Sequence, residues 1–196
     1  MSEERTSGGR VQQAVRARLE EERRDKKDRR NWAIGTVALL SLIFLLTRVF
    51  FGIAVVEGSS MNPNYMDSDL VLFTRVHGTL DRGDVVLVRP DDDRVLIKRV
   101  VGLPGEEVYI DQRTGAVMID GEELEEAYIQ GSTRRSSIEE YPITLGEDEY
   151  FVLGDNRNNS SDSRSASVGN VERSQIVGRA WLRIWPLNKI GFINHR

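Results

Sequence analysis

Cysteine is absent from this 196-residue sequence, and histidine occurs twice, as His77 and His195. Without cysteine the chain forms no disulfide and has no thiolate nucleophile. Cysteine content therefore does not indicate whether the protein lies in an oxidising or a reducing compartment. A zinc site would have to draw most of its ligands from carboxylates, which disfavours one. Neither histidine lies in a motif, which disfavours a Ser-His-Asp triad. We therefore expect no metal and no cofactor.

Charge is distributed unevenly, although the net charge is only -4. Residues 1–31 hold ten Lys and Arg against seven Asp and Glu, whereas residues 53–196 hold 16 against 24. An acidic body gives no support to nucleic-acid binding. We therefore expect no nucleic-acid partner.

One uncharged apolar run covers residues 32–47. It is slightly short for a membrane span of about 20 residues. However, Arg48 can extend its charge to the lipid headgroups, and Trp32 can anchor the opposite interface. A buried core helix is the alternative; a cleaved signal peptide is disfavoured because no small-x-small site follows the run. The sequence predicts a transmembrane signal anchor over residues 32–50.

The charged head, residues 1–31, precedes this anchor. We expect residues 1–10 to be disordered and residues 11–30 to form a solvated helix with i,i+4 ion pairs. Six Lys and Arg between residues 23 and 30 crowd the N-terminal side of the span. The positive-inside rule places that side in the cytoplasm. Residues 51–196 are then extracytoplasmic.

Short runs rich in β-branched and aromatic residues dominate the chain after residue 56. They cover residues 85–88, 95–97, 107–110, 116–119 and 150–153. Turn sequences such as Arg82-Gly83-Asp84 and Asp120-Gly121 separate them. The pattern predicts an all-β, antiparallel body. Residues 107–149 are expected to form a small excursion or subdomain, because the acidic part after residue 122 has weaker strand character.

Three motifs carry possible chemistry: Glu57–Pro63, Lys98–Glu106 and Gly154–Arg164. A serine beside glycine can expose its hydroxyl in a tight turn, and a lysine directly after an apolar strand is unusual if it faces a core. Each motif alone also fits a bland role: a plain loop, an exposed edge-strand lysine and an Asx-rich turn.

Together, in this order behind an apolar anchor, the motifs resemble the type I signal peptidases, and the resemblance covers residues 32–196. The tail segments Ile176–Arg179 and Arg183–Pro186 are similar to the family's closing strand. The resemblance implies an antiparallel sheet or partial barrel after one N-terminal transmembrane helix. It also implies a bacterial origin, because the endoplasmic-reticulum and archaeal relatives carry histidine where this chain has Lys98.

The resemblance assigns roles residue by residue. It implies that Ser60 is the nucleophile, that Lys98 is the general base and that the Ser160 hydroxyl orients the lysine. Four further positions match structural ion pairs around the site: Arg99, Asp155, Asp162 and Arg164. Burial of Lys98 would lower its pKa far enough for the neutral amine to act.

Some positions depart from the family pattern. Threonine and leucine usually follow the proline, where this chain has Asn64 and Tyr65, and Asn158 replaces an aspartate. Some members use a serine hydroxyl to stabilise the oxyanion at the position of Gly58. Here a backbone amide would have to substitute, and the amide of Ser60 is one candidate donor.

The implied activity is removal of N-terminal signal peptides from exported preproteins after small-x-small sites. The partners are then secretory preproteins and the lipid bilayer, and the location is the bacterial plasma membrane. We expect Val56, Met61 and Ile97 to line the shallow pockets for the small residues, although core packing would explain them equally well. An extended substrate would add a strand to an open sheet edge.

Two other functions remain possible at this point. Self-cleaving repressors use the same Ser/Lys chemistry, but they carry a DNA-binding head, and the run of residues 32–47 is too apolar for a recognition helix. A membrane-anchored β binding module without catalysis would leave Lys98 exposed and protonated. Labelling of the active site would separate these alternatives.

Overall fold

The computed structural model of the chain describes residues 3–75, 78–90, 94–129, 131–133 and 141–193. His77 and His195 lie outside the described residues. The chain divides into two compact units, Met1–Val49 and Phe50–Arg196. The first unit is helical and the second is built of β-strands.

Helix α1 runs from Glu3 to Phe50. Residues 3–10 are therefore helical, and the prediction of disorder there was wrong. Extending an existing helix adds one hydrogen bond per residue, so strong helix formers further along carry the helix into weaker sequence. The stretch Arg23–Phe50 is long and apolar enough to cross a membrane, and none of its most apolar window is buried. Such full exposure disfavours the alternative of a buried core helix.

The second unit contains twelve strands among its described residues, each antiparallel to its neighbours. They are β1 Phe51–Val55, β2 Leu70–Thr74, β3 Val85–Val88, β4 Leu96–Gly102, β5 Glu107–Ile110, β6 Val117–Ile119, β7 Glu122–Glu123, β8 Ile143–Thr144, β9 Glu149–Leu153, β10 Val171–Glu172, β11 Ile176–Trp185 and β12 Gly191–Phe192. Short 3-10 turns cover Arg173–Gln175 and Leu187–Lys189.

These strands form two sheets. The large sheet has the order β1-β2-β11-β3-β4-β9-β10, with β12 added to β11, and the small sheet has the order β7-β6-β5-β8. Each neighbouring pair is antiparallel. The prediction of an antiparallel all-β body with a small β excursion behind one apolar helix is confirmed.

One core cluster lies directly beneath the first two motifs. Val56, Met61, Phe73, Leu87 and Ile97 are all buried in it. Full burial of such a side chain is worth about 1.5–3 kcal/mol. This packing holds the loop after β1 against the start of β4.

Strand β4 changes partner along its length. It pairs with β3 over Leu96 to Arg99 and with β9 only from Arg99 onward. Within the described part of the chain, the second edge of residues 96–98 therefore has no strand partner. Strand β1 is the outermost strand of the same sheet. Because the sheet curls, residues of both β1 and β4 line one groove.

Candidate active site

Ser60 lies in the turn that follows β1. Gly58 adopts a φ of 76°, a conformation that favours glycine, and its amide donates to Asp67 Oδ1 at 2.7 Å. Met61, which is fully buried, anchors the next position in the core. The turn thus presents the half-exposed Ser60 side chain at the groove.

Lys98 lies on β4, opposite Val86 of β3. Its side chain is 2% exposed. The Nζ atom is 2.9 Å from Ser60 Oγ and donates a hydrogen bond to the main-chain carbonyl of Ile97 at 3.0 Å. The structure therefore brings the predicted nucleophile and the predicted base into direct hydrogen-bond distance.

Burial lowers the pKa of Lys98 from 10.5 to about 8, because the charged ammonium is poorly solvated there. The carboxylates of Asp162 and Asp155 oppose this shift by favouring the ammonium form, and Arg164 adds to it. These two carboxylates offset only part of the shift that burial causes. The amine is consequently poised to lose its proton in a mildly alkaline range.

Arg99 points to the other face of β4, as alternation along a strand requires. Its guanidinium makes two hydrogen bonds with Asp155, at 2.8 and 2.7 Å, and a third with the carbonyl of Gly83 at 2.8 Å. Both side chains are buried. The pair, predicted as structural, joins β4 to the loop that follows β9.

Asp162 and Arg164 form the second predicted pair. The guanidinium of Arg164 donates to both carboxylate oxygens at 2.8 Å, and Asp162 Oδ2 also accepts from the amide of Gly154 at 3.0 Å. Both side chains are nearly inaccessible to solvent. The pair therefore closes the polar loop of residues 154–164 on itself.

Ser160 is close to the site but does not bind the lysine. Its Oγ is buried and has no hydrogen-bond partner among the described residues. A Cβ at Gly154 would lie 2.2 Å from Ser160 Oγ and 2.5 Å from the carbonyl oxygen of Ser60. The absence of a side chain at Gly154 thus lets Ser160 and the Ser60 main chain pack closely, and the role of Ser160 in orienting the lysine stays a prediction.

Backbone hydrogen bonds reinforce the contact between these loops. The amide of Asn156 donates to the carbonyl of Ser60 at 2.9 Å, and its side chain donates to the carbonyl of Ser59 at 3.1 Å. The Asn159 side chain donates to Ser59 Oγ at 2.7 Å. Ser59 is thereby engaged, which leaves Ser60 as the serine that faces the lysine.

The amides near Ser60 differ in their availability. The amide of Gly58 is bound to Asp67 and cannot stabilise an oxyanion as it stands. The amide of Ser60 makes no hydrogen bond within the described residues. The amide of Ser60 therefore remains the candidate donor to an oxyanion.

A groove of about 570 Å³ leads away from Ser60 and Lys98. Val56, Met61 and Ile97, the predicted pocket residues, all belong to its lining, and all three also pack in the core. These side chains therefore both pack in the core and line the groove, and their role as pockets for small substrate residues stays a prediction.

The three residues that depart from the family pattern lie in different surroundings. The Asn64 side chain donates to Asp155 Oδ2 and to the carbonyl of Tyr128, each at 2.7 Å. Tyr65 is buried, and burial raises the pKa of its hydroxyl to about 12. Asn158 is exposed. Asn64 thus joins the network around Asp155, whereas Asn158 lies outside it.

Arg157, Glu126 and Tyr128 were missed by the sequence analysis. The buried Arg157 guanidinium forms a two-pronged ion pair with Glu126, while its Nε donates to the carbonyl of Gly154 at 3.1 Å. Tyr128 places its ring 4.2 Å from the Arg99 guanidinium carbon. Arg157 belongs to the polar motif and could have been singled out there. Its partners lie in an acidic stretch where no pattern distinguishes them.

A metal centre receives no support from the described ranges. No group of three His, Asp or Glu side chains clusters there as ligands would. The two histidines fall outside these ranges.

A buried amine held against a serine hydroxyl, beside an open groove, is an arrangement suited to nucleophilic cleavage of an acyl bond. The family model described as signal peptidase, peptidase S26, matches residues 29–185. The chain therefore belongs to the signal peptidase family, peptidase S26.

Similar proteins carry related names. The chain is 36% identical over 148 residues to "Probable signal peptidase I-2" of Synechocystis sp., a match that covers 70% of this chain and 65% of that protein. It is 31% identical over 176 residues to "Signal peptidase I S" of Bacillus subtilis, covering 84% and 94% of the two chains. "Signal peptidase I" of Leptolyngbya laminosa is 35% identical over 171 residues, covering 81% of each chain.

A solved structure of a signal peptidase I from Enterococcus faecalis is 30% identical to this chain. The superposition has a TM-score of 0.42 and covers 52% of this chain and 97% of that chain.

Proposed function

We propose that this chain removes signal peptides from exported preproteins, with Ser60 as the nucleophile and Lys98 as the general base. Family membership supports the activity. The single observation that supports the dyad is the 2.9 Å separation of Lys98 Nζ and Ser60 Oγ at a lysine that is only 2% exposed. This is hydrogen-bond distance, as proton transfer between a nucleophile and its base requires.

In the proposed reaction, Lys98 accepts and returns one proton in each of two steps. Neutral Nζ takes the proton of Ser60 as Oγ attacks the scissile carbonyl, and Lys98 returns that proton to the leaving amine. Water then attacks the acyl-enzyme while Lys98 accepts its proton, and Lys98 passes that proton to Ser60 Oγ as the ester bond to the signal peptide breaks. At pH 7 a lysine with its ordinary pKa is neutral in about one molecule in three thousand, but at a pKa of about 8 the fraction is about one in ten.

The amide of Ser60 is the proposed oxyanion donor. A tetrahedral intermediate needs donors about 2.7–3.1 Å from its oxygen. The amide of Gly58 is held by Asp67 and would have to break that hydrogen bond to take part. The oxyanion is therefore proposed to rely on the Ser60 amide.

The substrate is proposed to bind as an extended strand in the groove. Residues 96–98 and strand β1 both offer free edges to it, so a peptide between them would receive main-chain hydrogen bonds on two sides. Val56, Met61 and Ile97 are buried apolar side chains that line the groove together with Ser60, and we propose that they form the shallow pockets for the substrate. Such pockets would select small residues at the first and third positions before the cut.

Residues 32–50 are proposed to hold the enzyme in the bacterial plasma membrane with the N-terminus in the cytoplasm. The apolar part of Arg23–Phe50 is long enough to cross a membrane, and none of it is buried. The basic residues between positions 23 and 30 support the orientation. Protease added to spheroplasts should digest residues beyond about 60 and spare the head; protection of the body instead would contradict this orientation.

Neither alternative function is favoured by the family assignment. A non-catalytic binding module also predicts an exposed Lys98, whereas this side chain is buried. The self-cleaving repressors would need a DNA-binding head in place of the exposed apolar helix.

The test is cleavage of a small-x-small signal substrate by the full chain in detergent, compared with Ser60→Ala. The variant should lose cleavage by at least about 100-fold and keep its melting temperature, because a half-exposed hydroxyl contributes little to stability. Substantial turnover by the alanine variant would refute the assignment of the nucleophile.

A further inference from the structure

One segment leads from the small sheet back toward the polar loop of residues 154–164. This segment, residues 124–129, is called the buttress here. Its first residue is fixed to the small sheet, because the amide of Leu124 donates to the carbonyl of Val117 at 2.8 Å and its side chain packs on the core of that sheet. The residues that follow extend to the polar loop of residues 154–164.

Glu126 of the buttress neutralises a buried cation of that loop. The carboxylate pairs with Arg157, whose side chain is 0% exposed while that of Glu126 is 5% exposed. Arg157 also donates to Thr133 Oγ1 and to the carbonyl of Gly154. Without a carboxylate here, Arg157 would be a buried charge lacking its counterion, and the loop would have to rearrange to solvate it.

Tyr128 of the buttress supports the other side of the site. Its ring covers the Arg99 guanidinium at 4.2 Å, and its main-chain carbonyl accepts from the Asn64 side chain at 2.7 Å. Its hydroxyl donates to Glu126 Oε1 at 2.8 Å, which joins the two buttress side chains. One short segment therefore contacts the β4 arginine, the turn after Ser60 and the polar loop.

These contacts end next to the reacting atoms. Arg157 holds Gly154, whose missing side chain allows it to lie against Ser160 and the carbonyl of Ser60. Arg99 is the neighbour of Lys98 on β4. A displacement of the loop by about 1 Å would alter the approach of Ser60 and Lys98, and misplacements of that size cost up to about 100-fold in rate.

We propose that Glu126 and Tyr128 are positioning residues, which act through Arg157 and Arg99 to hold Ser60 and Lys98 in reactive alignment. The small sheet is on this view a support for catalysis and not an inert insertion. The proposal rests on the function proposed above, since alignment matters only if Ser60 and Lys98 carry out the reaction. Neither residue touches the substrate groove.

The experiment compares Glu126→Gln, Tyr128→Leu and Tyr128→Phe in the full chain, with a signal substrate carrying small residues at the first and third positions. Glu126→Gln and Tyr128→Leu should lower kcat by about 10- to 100-fold with KM changed by less than about 3-fold, because alignment and not binding is lost. Tyr128→Phe keeps the ring over Arg99 and should retain most of the activity.

Glu106→Gln is the control, in a pair that is more exposed, with Arg82 27% and Glu106 18% exposed. Glu106 forms an ion pair of similar geometry with Arg82 at 2.6 Å, in the same unit but away from the polar loop. It should lower the melting temperature without changing kcat. Hydrogen exchange of residues 154–164 gives a readout that needs no turnover: it should quicken in Glu126→Gln and stay unchanged in Glu106→Gln.

The outcomes separate the two proposals. A cleaving parent whose folded Glu126→Gln and Tyr128→Leu variants keep kcat and loop exchange refutes the buttress alone. If Glu106→Gln lowers kcat as much as Glu126→Gln, the effect is general destabilisation and the positioning role is also refuted. A parent that does not cleave, or a Ser60→Ala variant that cleaves equally well, refutes the proposed function and with it the catalytic role of the buttress.

Discussion

The two faces of β4 bury neighbouring cations in opposite ways. Arg99 meets the carboxylate of Asp155 in two hydrogen bonds, and these bonds help to keep its pKa above the ordinary value. Lys98, one residue earlier, meets a serine hydroxyl and a carbonyl instead, and burial lowers its pKa to about 8. A buried cation with a counterion is thus a fixed structural charge, whereas one without a counterion becomes a titratable base.

The largest expected effect comes from making the Lys98 face resemble the Arg99 face. Lys98→Arg keeps the charge and most of the length, but a guanidinium with a pKa above about 12 cannot accept the Ser60 proton. We expect kcat/KM to fall by about 100- to 10,000-fold, the usual contribution of a general base. The measurement is the initial rate on a signal substrate at pH 8 and pH 10.

The same assay contains its control. The parent should show an acidic limb in kcat/KM near pH 8, which reports the pKa of Lys98 in the free enzyme. Activity near the parent level in Lys98→Arg, with the acidic limb in place, would transfer the role of base to another group.

The next effect comes from removing the counterion on the opposite face. Asp155→Ala leaves the Arg99 guanidinium buried without its carboxylate and should cost about 3–5 kcal/mol of unfolding free energy. It should also move the acidic limb to lower pH, because Asp155 raises the pKa of Lys98. Denaturant unfolding and the pH–rate profile measure the two effects.

Arg113→Ala is the control for this loss. Arg113 is 90% exposed and lies 3.9 Å from Asp111, so its removal should change stability by less than about 0.5 kcal/mol. Equal losses in the two variants would show that Asp155 acts as an ordinary surface charge.

The smallest of these effects tests the energetic cost of the unpaired lysine. A folded pKa of about 8 against an ordinary 10.5 means that the unfolded chain binds more protons between these values. Stability should therefore rise with pH across this window, by about 3 kcal/mol at most. Lys98→Met should be more stable than the parent at pH 7, and the difference should shrink toward pH 10.5. A constant difference over this range would mean that Lys98 is solvated.

Several strands of both sheets could be predicted from local pattern. The runs that became β3, β5 and β9 are β-rich and bounded by turns, so the sequence predicts them directly. Strand β1 was not recognised because its apolar residues continue the preceding run without a turn. The pairing of β2 with β11 joins residues more than 100 positions apart, which no local pattern specifies.

The residues of the site also fall into two groups: those that motifs predicted and those that only the tertiary structure reveals. Ser60 and Lys98 were predicted through motif resemblance, and the structure places them in contact. Ser160 Oγ has no hydrogen-bond partner among the described residues, so the orienting role that the resemblance assigned to it stays a prediction. Glu126 was missed because only the tertiary fold determines which of several neighbouring carboxylates pairs with Arg157. Tyr128 was missed because its contact with Arg99 likewise depends on the tertiary fold.

The open edges of β1 and β4 have a consequence beyond substrate binding. A strand edge that accepts any extended peptide through main-chain hydrogen bonds does not distinguish a preprotein from a second copy of itself. Ile53 and Val55 of β1 are more than half exposed, so this edge is also apolar. The edges proposed to receive the signal sequence are therefore also an aggregation liability, and a peptide bound there would suppress that liability by occupying both edges.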